Sequence, residues 1–97
     1  MEIHSYTEPV FRISAAAGIL GMHEQTLRFY ERQKLVVPGR TNSGLRLYSQ
    51  KDIDDVQEIR VLTRQKGVNL AGVRIILALR REIEDLKKRL VPPEEKE

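Results

Sequence analysis

The chain has no cysteine among its 97 residues, and only 5% of its residues are aromatic. The absence of thiols excludes a disulfide framework, a thiolate metal site and a cysteine nucleophile, and it fits a reducing cytoplasm. No apolar run approaches the roughly 20 residues that a membrane-spanning helix needs. The N-terminus carries acidic residues and lacks the basic-then-apolar pattern of a secretion signal. We therefore expect a soluble cytoplasmic protein that does not bind a membrane.

Sequence signatures of enzymes are also missing. There are no glycine-rich phosphate loops and no serine nucleophile elbows. The two histidines, His4 and His23, have no acidic residue or second histidine at a spacing typical of metal ligands. The acidic residues between positions 52 and 58 fit the solvated face and first turn of a helix, where carboxylates complement the helix dipole. We expect no catalytic activity, no metal site and no cofactor.

Positive charge is concentrated in the first half of the chain. The whole sequence has a formal net charge of +3. Residues 12–48 contain two acidic residues, Glu24 and Glu31, against six basic ones. The basic residues are Arg12, Arg28, Arg32, Lys34, Arg40 and Arg46. A local excess of this kind attracts a polyanion such as nucleic acid.

Two short helix patterns surround a glycine in this basic half. Ser14 is a suitable N-cap for a helix over residues 15–20, because its hydroxyl can accept a bond from an orphan backbone N–H. Gly21 follows as the stop residue, since glycine adopts positive φ without a Cβ clash. A second helix is predicted over residues 24–32. Two short helices around a sharp turn are typical of a helix-turn-helix.

A small hairpin is predicted after the second helix. Its strands are the apolar runs at residues 35–37 and 45–48, and its tip is the polar segment 41–44, which contains asparagine and glycine. The predicted fold class is mainly α: a winged helix-turn-helix with a small β-hairpin wing and a C-terminal dimerisation helix. Such a fold reads double-stranded DNA.

Capping signals divide the rest of the chain. Ser49 and Asp52 form an approximate capping box for a third helix, and Gly67 ends it. Asn69 can cap a final helix, which Pro92 terminates. The predicted organisation is a flexible N-terminal arm (1–9), a winged helix-turn-helix domain (10–68), a C-terminal helix (69–91) and an acidic tail (92–97).

The final helix carries a narrow apolar stripe at alternating spacings of three and four residues. Its members are Ile76, Leu79, Ile83, Leu86 and Leu90. Charged residues flank the stripe, which favours a coiled-coil seam over a broad core-facing surface. The pattern predicts a two-helix contact between subunits, and therefore a homodimer.

Candidate DNA-binding residues follow from the predicted elements. Base reading requires polar side chains near the start of a helix in the major groove, and phosphate binding requires cations and N–H or O–H donors. The candidates are Ser14, His23, Gln25, Thr26, Arg28, Phe29 and Tyr30 on the helix pair, and Arg40, Asn42, Arg46 and Tyr48 on the hairpin. Each could instead be an ordinary surface residue, or in the case of Phe29 a core aromatic. Tyr48 can bury its ring and still offer its hydroxyl to a phosphate.

The sequence resembles the MerR family of transcription regulators over about residues 11–79. The most specific segments are TLRFYER at residues 26–32 and GLRLYS at residues 44–49. The resemblance implies that the helix-turn-helix and wing bind DNA. It also implies that the C-terminal helix pairs with its partner as an antiparallel coiled coil.

Within this family the chain resembles the heat-shock repressors. The likeness lies in residues 17–28 and 67–73, and includes His23, where most family members have serine. It implies repression of chaperone genes through an inverted-repeat operator, with the DnaK chaperone as co-repressor in some members. Other members bind metals or drugs in cysteine sites or additional domains that this sequence lacks, so no small-molecule effector is expected. Two alternatives remain at this point: an excisionase-like architectural DNA-binding factor and a coiled-coil protein-interaction adaptor.

Overall fold

The computed structural model describes residues 5–90, which form two compact units, one extending to Val61 and one beginning at Leu62. The first unit is a winged helix-turn-helix with a three-stranded antiparallel sheet, which confirms the predicted fold class. Its elements are β1 (Phe11–Arg12), α1 (Ile13–Leu20), α2 (Glu24–Arg32), β2 (Gly39–Arg40), β3 (Arg46–Tyr48) and α3 (Gln50–Arg60).

The turn between α1 and α2 has the predicted glycine geometry. Gly21 adopts a left-handed conformation with φ of 66°. The N–H of Met22 donates a bond of 3.0 Å to the carbonyl oxygen of Ala17. These features end α1 and reverse the chain within three residues, so that α2 begins and ends at the predicted positions.

Ser14 is not the N-cap of α1, contrary to the sequence prediction. The helix begins at Ile13, and its N-cap is Arg12, whose side chain makes no capping bond. Arg12 is held in an extended conformation because it belongs to β1, where it lies opposite Leu47 of β3. The chain therefore enters the helix directly from the sheet, and Ser14 is an exposed residue of the first turn.

A Schellman motif ends α2. The N–H of Lys34 donates a bond of 2.9 Å to the carbonyl oxygen of Glu31, and the N–H of Leu35 donates one of 3.0 Å to the carbonyl oxygen of Tyr30. Lys34 adopts a left-handed conformation with φ of 60°, which glycine normally occupies at this position.

The prediction of a strand at residues 35–37 is wrong, because Leu35 belongs to the Schellman motif that ends α2. The N–H of Leu35 already closes the end of α2, and Leu35 and Val36 are buried in the core. The strand of the wing begins later, at Gly39–Arg40.

Strand β3 lies at the centre of the sheet, between β1 and β2. Strand β1 was not predicted from the sequence, because a strand of two residues is too short to show a periodicity. The hairpin of β2 and β3 is the wing, and its tip is the predicted turn at residues 41–44. There the N–H of Gly44, with φ of 87°, donates a bond of 2.9 Å to the carbonyl oxygen of Thr41.

The core of the first unit lies among its helices and the sheet. It contains Ala16, Ala17, Leu20, Leu27, Tyr30, Leu35, Val36, Tyr48, Ile53, Val56 and Ile59. The start of α3 has the predicted capping box between Ser49 and Asp52. Tyr6, which precedes the sheet in the chain, makes two hydrogen bonds to α3. Its carbonyl oxygen accepts a bond of 3.0 Å from the backbone N–H of Lys51. Its hydroxyl donates a bond of 2.7 Å to the carboxylate of Asp54. The hydrogen bond to Asp54 is the main cause that raises the pKa of Tyr6 to about 12.

A short π-helical segment (Val61–Gln65) begins at the last residue of the first unit, and the second unit continues with a turn and α4 (Leu70–Leu90). Gly67 has φ of 68° in the turn, and the side-chain oxygen of Asn69 accepts a bond of 2.9 Å from the N–H of Gly72, as the predicted cap requires. None of the helices over residues 5–90 has the length and apolar character to cross a bilayer. The predicted acidic tail and residues 1–4 of the predicted arm lie outside the described residues.

Candidate nucleic-acid interface

The N-terminal half of α2 presents polar side chains to solvent. His23 is the N-cap residue in an extended conformation, and its imidazole makes no capping bond. His23 and Gln25 are exposed, and Thr26 is partly exposed. The backbone N–H groups of a helix N-terminus and the helix dipole favour an anion such as phosphate. This end of α2 therefore combines polar side chains with a helix terminus that can attract an anion.

Buried residues on the other side of α2 fix this orientation. Leu27 has no exposed surface, and Tyr30 is 9% exposed. The ring of Phe29, which is half-buried, lies 6.0 Å from that of Tyr30. Arg28 is 35% exposed and lies 3.7 Å from Glu24, one turn earlier. Of the candidates on α2, the structure leaves Arg28 accessible and draws Tyr30 into the core.

Glu31 links the wing to α2. Its Oε2 atom lies 2.9 Å from Nη2 of Arg40, and its Oε1 atom lies 2.7 Å from Nε of Arg46. Nη1 of Arg40 also donates a bond of 3.0 Å to the carbonyl oxygen of Gly44. The two predicted wing arginines are thus brought together on one carboxylate, and Asn42 is exposed at the tip of the wing.

The sequence did not predict the link that Glu31 makes between α2 and the wing. The signal that could have revealed it is its isolation: Glu31 is the one acidic residue between Glu24 and Asp52, in a segment with several arginines. Pairing with two of those arginines needs the wing to fold back onto α2, which is a tertiary contact that helix periodicity does not show.

Tyr48 is a core residue whose hydroxyl is also buried. The residue has no exposed surface, and within the described residues its hydroxyl has no hydrogen-bond partner. Burial, followed by the negative charge of Glu31, raises the pKa of Tyr48 to about 12. The sequence predicted that this hydroxyl could bond to a phosphate, but in the free chain the hydroxyl is buried in the core.

The apolar stripe of α4 is exposed along the second half of the helix. Its exposed members are Leu79, Ile83, Leu86 and Leu90. Ile76, the first residue of the predicted seam, is half-buried, whereas its neighbour Ile75 is 62% exposed. Exposed leucine and isoleucine in a continuous row mark a surface suited to association.

The fold is that of a winged helix-turn-helix protein, and Glu31 brings basic side chains of the wing together with α2. The sequence profile described as "MerR HTH family regulatory protein" matches residues 11–79. The chain belongs to the MerR family, which confirms the resemblance seen in its sequence.

Named relatives include regulators from several bacteria. The chain is 42% identical over 81 residues to "Putative heat shock protein HspR" of Streptomyces coelicolor, covering 84% of this chain and 54% of the relative. It is 35% identical over 72 residues to the "HTH-type transcriptional regulator GlnR" of Bacillus cereus, covering 74% of this chain and 55% of the relative. The chain thus spans about half the length of these relatives.

A solved structure has the same fold. It is HiNmlR, described as "a MerR family regulator lacking the sensor domain, bound to promoter DNA". The two chains superpose with a TM-score of 0.62 at 23% sequence identity, covering 82% of this chain and 77% of the other.

Proposed function

We propose that the chain is a homodimeric transcriptional repressor of heat-shock or chaperone genes that binds an inverted-repeat operator in double-stranded DNA. The observation that carries the proposal is the ionic link between the wing and α2. Glu31 joins the wing arginines to α2, the helix whose N-terminal half presents polar side chains. In this mechanism α2 enters the major groove and the wing contacts the flanking backbone.

The proposed contacts come from the candidates that are exposed or half-buried. His23, Gln25, Thr26, Arg28 and Phe29 face the bases, and Ser14, Arg40, Asn42 and Arg46 meet phosphates. The buried residues Tyr30 and Tyr48 support this surface from beneath. Arginine suits both tasks, because its planar guanidinium binds guanine or phosphate through two N–H groups at once.

The proposed dimer forms through α4. A second copy of the chain covers the stripe from Leu79 to Leu90 as a two-stranded antiparallel coiled coil, with Ile76 at its end. Removal of this apolar area from water drives the association. A two-fold symmetric dimer matches a two-fold symmetric operator, so each copy reads one half-site.

The regulatory part of the proposal rests on similarity to HspR. In this proposal the protein is cytoplasmic and the DnaK chaperone is its co-repressor. No small-molecule effector and no catalytic activity are part of the proposal. Chaperone binding would link repression to the supply of free chaperone, because a ligand that prefers the DNA-bound state raises operator affinity.

Fluorescence anisotropy tests the proposal directly. The purified protein is titrated against DNA from immediately upstream of its own operon and against a scrambled duplex, between about 50 and about 300 mM salt. We expect preference for the native fragment, saturation at two chains per site and a steep loss of affinity with salt. Addition of DnaK should then tighten operator binding.

Other outcomes favour other functions. Equal binding to both duplexes with DNA bending, and no effect on transcription from the fragment, would indicate an architectural factor. Absence of any salt-sensitive DNA binding, with and without DnaK, would contradict the proposal and favour a protein-interaction adaptor.

A further inference from the structure

Arg40 and Arg46 lie directly opposite each other across the wing hairpin. Like charges at opposed positions of an antiparallel pair destabilise it. Glu31 offsets this repulsion, because each of its two carboxylate oxygens is within 2.9 Å of one of the guanidinium groups. The conformation of the wing arginines therefore depends on a residue outside the wing.

The guanidinium of Arg40 is held at two points. Nη2 bonds to Glu31 and Nη1 bonds to the carbonyl oxygen of Gly44. A guanidinium has five N–H groups, and 49% of the Arg40 side chain remains exposed. The group is thus oriented before DNA arrives, which lowers the entropy lost when a further N–H meets a phosphate.

Charge alone would give Glu31 the opposite effect. A carboxylate on a DNA-binding surface repels phosphates, so its removal should tighten binding. However, the Glu31 side chain is only 16% exposed, and two guanidinium groups compensate its charge at short distance. The repulsion between Glu31 and DNA therefore affects binding less than the loss of arginine orientation that removal of Glu31 would cause.

We propose that Glu31 is a positioning residue for DNA binding, which orients Arg40 and Arg46 toward the phosphate backbone although its own charge has the same sign as DNA. This inference rests on the proposed DNA-binding function and adds a residue that does not itself touch DNA. Glu31 acts through the wing arginines.

The first test compares Glu31→Gln with a matched control, Glu24→Gln. Both variants remove one negative charge from α2, but Glu24 is 43% exposed and its ion pair is with Arg28 at 3.7 Å, not with the wing. We expect Glu31→Gln to weaken operator binding about tenfold and to lower the slope of log K against log salt by about one. Glu24→Gln should bind as tightly as the wild type or slightly more tightly.

Two further variants separate position from charge and from folding. Glu31→Asp keeps the charge but shortens the side chain, so it should also weaken binding, by several-fold. In the Arg40→Ala background, Glu31→Gln should cost less than about threefold, because part of its effect passes through Arg40. Circular dichroism verifies that each variant is folded at the temperature of the binding assay.

The outcomes distinguish this inference from the function on which it rests. Tighter or unchanged binding by Glu31→Gln, with a steeper salt slope, would show that Glu31 only weakens the basic surface and would overturn the inference while the DNA-binding function stands. Wild-type protein without salt-dependent DNA binding would overturn the proposed function, and this inference with it.

Discussion

Ser49 and Asp52 exchange two hydrogen bonds across the first turn of α3. The N–H of Asp52 donates to Oγ of Ser49 at 3.0 Å, and the N–H of Ser49 donates to Oδ2 of Asp52 at 2.9 Å. Two backbone donors without a partner inside the helix are satisfied in this way. Ser49 is almost fully buried, so water cannot replace the bond.

Replacement of Ser49 by alanine should destabilise the protein. We expect the free energy of unfolding to fall by about 1 kcal/mol, which corresponds to a Tm lower by about 4–8 °C for a domain of this size. Thermal unfolding at a fixed protein concentration measures the change. Ser14→Ala is the control, since the Ser14 side chain does not cap α1, and equal losses in the two variants would contradict the assignment of the cap.

Tyr48→Phe should leave the stability at neutral pH unchanged or raise it by up to about 1 kcal/mol, because it removes a buried hydroxyl that has no hydrogen-bond partner among residues 5–90. The pKa of Tyr48 is raised from 10.0 to about 12 in the folded chain. The protonated phenol is thus favoured by folding, and this stabilisation is present below pH 10 and lost as the pH rises toward 12. Denaturant unfolding at several pH values should show a smaller alkaline loss in Tyr48→Phe than in the wild type.

Tyr6→Phe serves as a comparison for this experiment. It removes an exposed hydroxyl that does have a partner, the carboxylate of Asp54. A clear loss of stability at neutral pH in Tyr48→Phe would mean that its hydroxyl is bonded in solution. Weakened operator binding by Tyr48→Phe would support the contact between this hydroxyl and a phosphate that the sequence predicted.

Arg28→Ala should weaken operator binding by about 1–3 kcal/mol, the usual value for a lost bidentate base contact. The same substitution at Arg32, an exposed residue in the last turn of α2, removes an equal charge away from the N-terminal half. Anisotropy titrations with single base-pair changes in the operator should show relaxed specificity for Arg28→Ala alone. Equal losses in both variants, without a change in specificity, would limit Arg28 to a general electrostatic contribution.

Leu86→Glu should dissociate the dimer and abolish cooperative binding to an operator with two half-sites. The side chain lies in the exposed apolar stripe of α4, and a carboxylate there would be buried without a partner in the coiled coil. Arg81→Ala changes the net charge by the same amount outside the stripe and should remain dimeric. Sedimentation measures the mass of both variants, and wild-type operator affinity in a monomeric Leu86→Glu protein would refute the dimer mechanism.

Local signals predicted the helices of this chain well. Gly21, Ser49 and Asn69 act within one turn of their own positions, so their capping roles depend on neighbouring residues alone. The prediction of Ser14 as a cap failed because β1 holds Arg12 extended and starts the helix earlier. That contact depends on β3, which is distant in sequence.

The wing shows the same division. Its polar turn was predictable, because glycine and asparagine encode the reversal locally. The position of β2 was not predictable, because Lys34 adopts a left-handed conformation and the N–H of Leu35 bonds to the last turn of α2. The burial of Leu35 and Val36 stabilises this course of the backbone, and their burial cannot be deduced from neighbouring residues in the sequence.

The sequence by itself determined the order of helices, the basic first half of the chain and the family, because capping, periodicity and motif spacing are local properties. Only the tertiary structure decided that Glu31 holds both wing arginines and that the hydroxyl of Tyr48 is buried. Both depend on the wing folding against α2 and on the sheet packing into the core. Burial and charge pairing between residues distant in sequence are properties of the folded chain, and they decide which of the candidate side chains remain exposed.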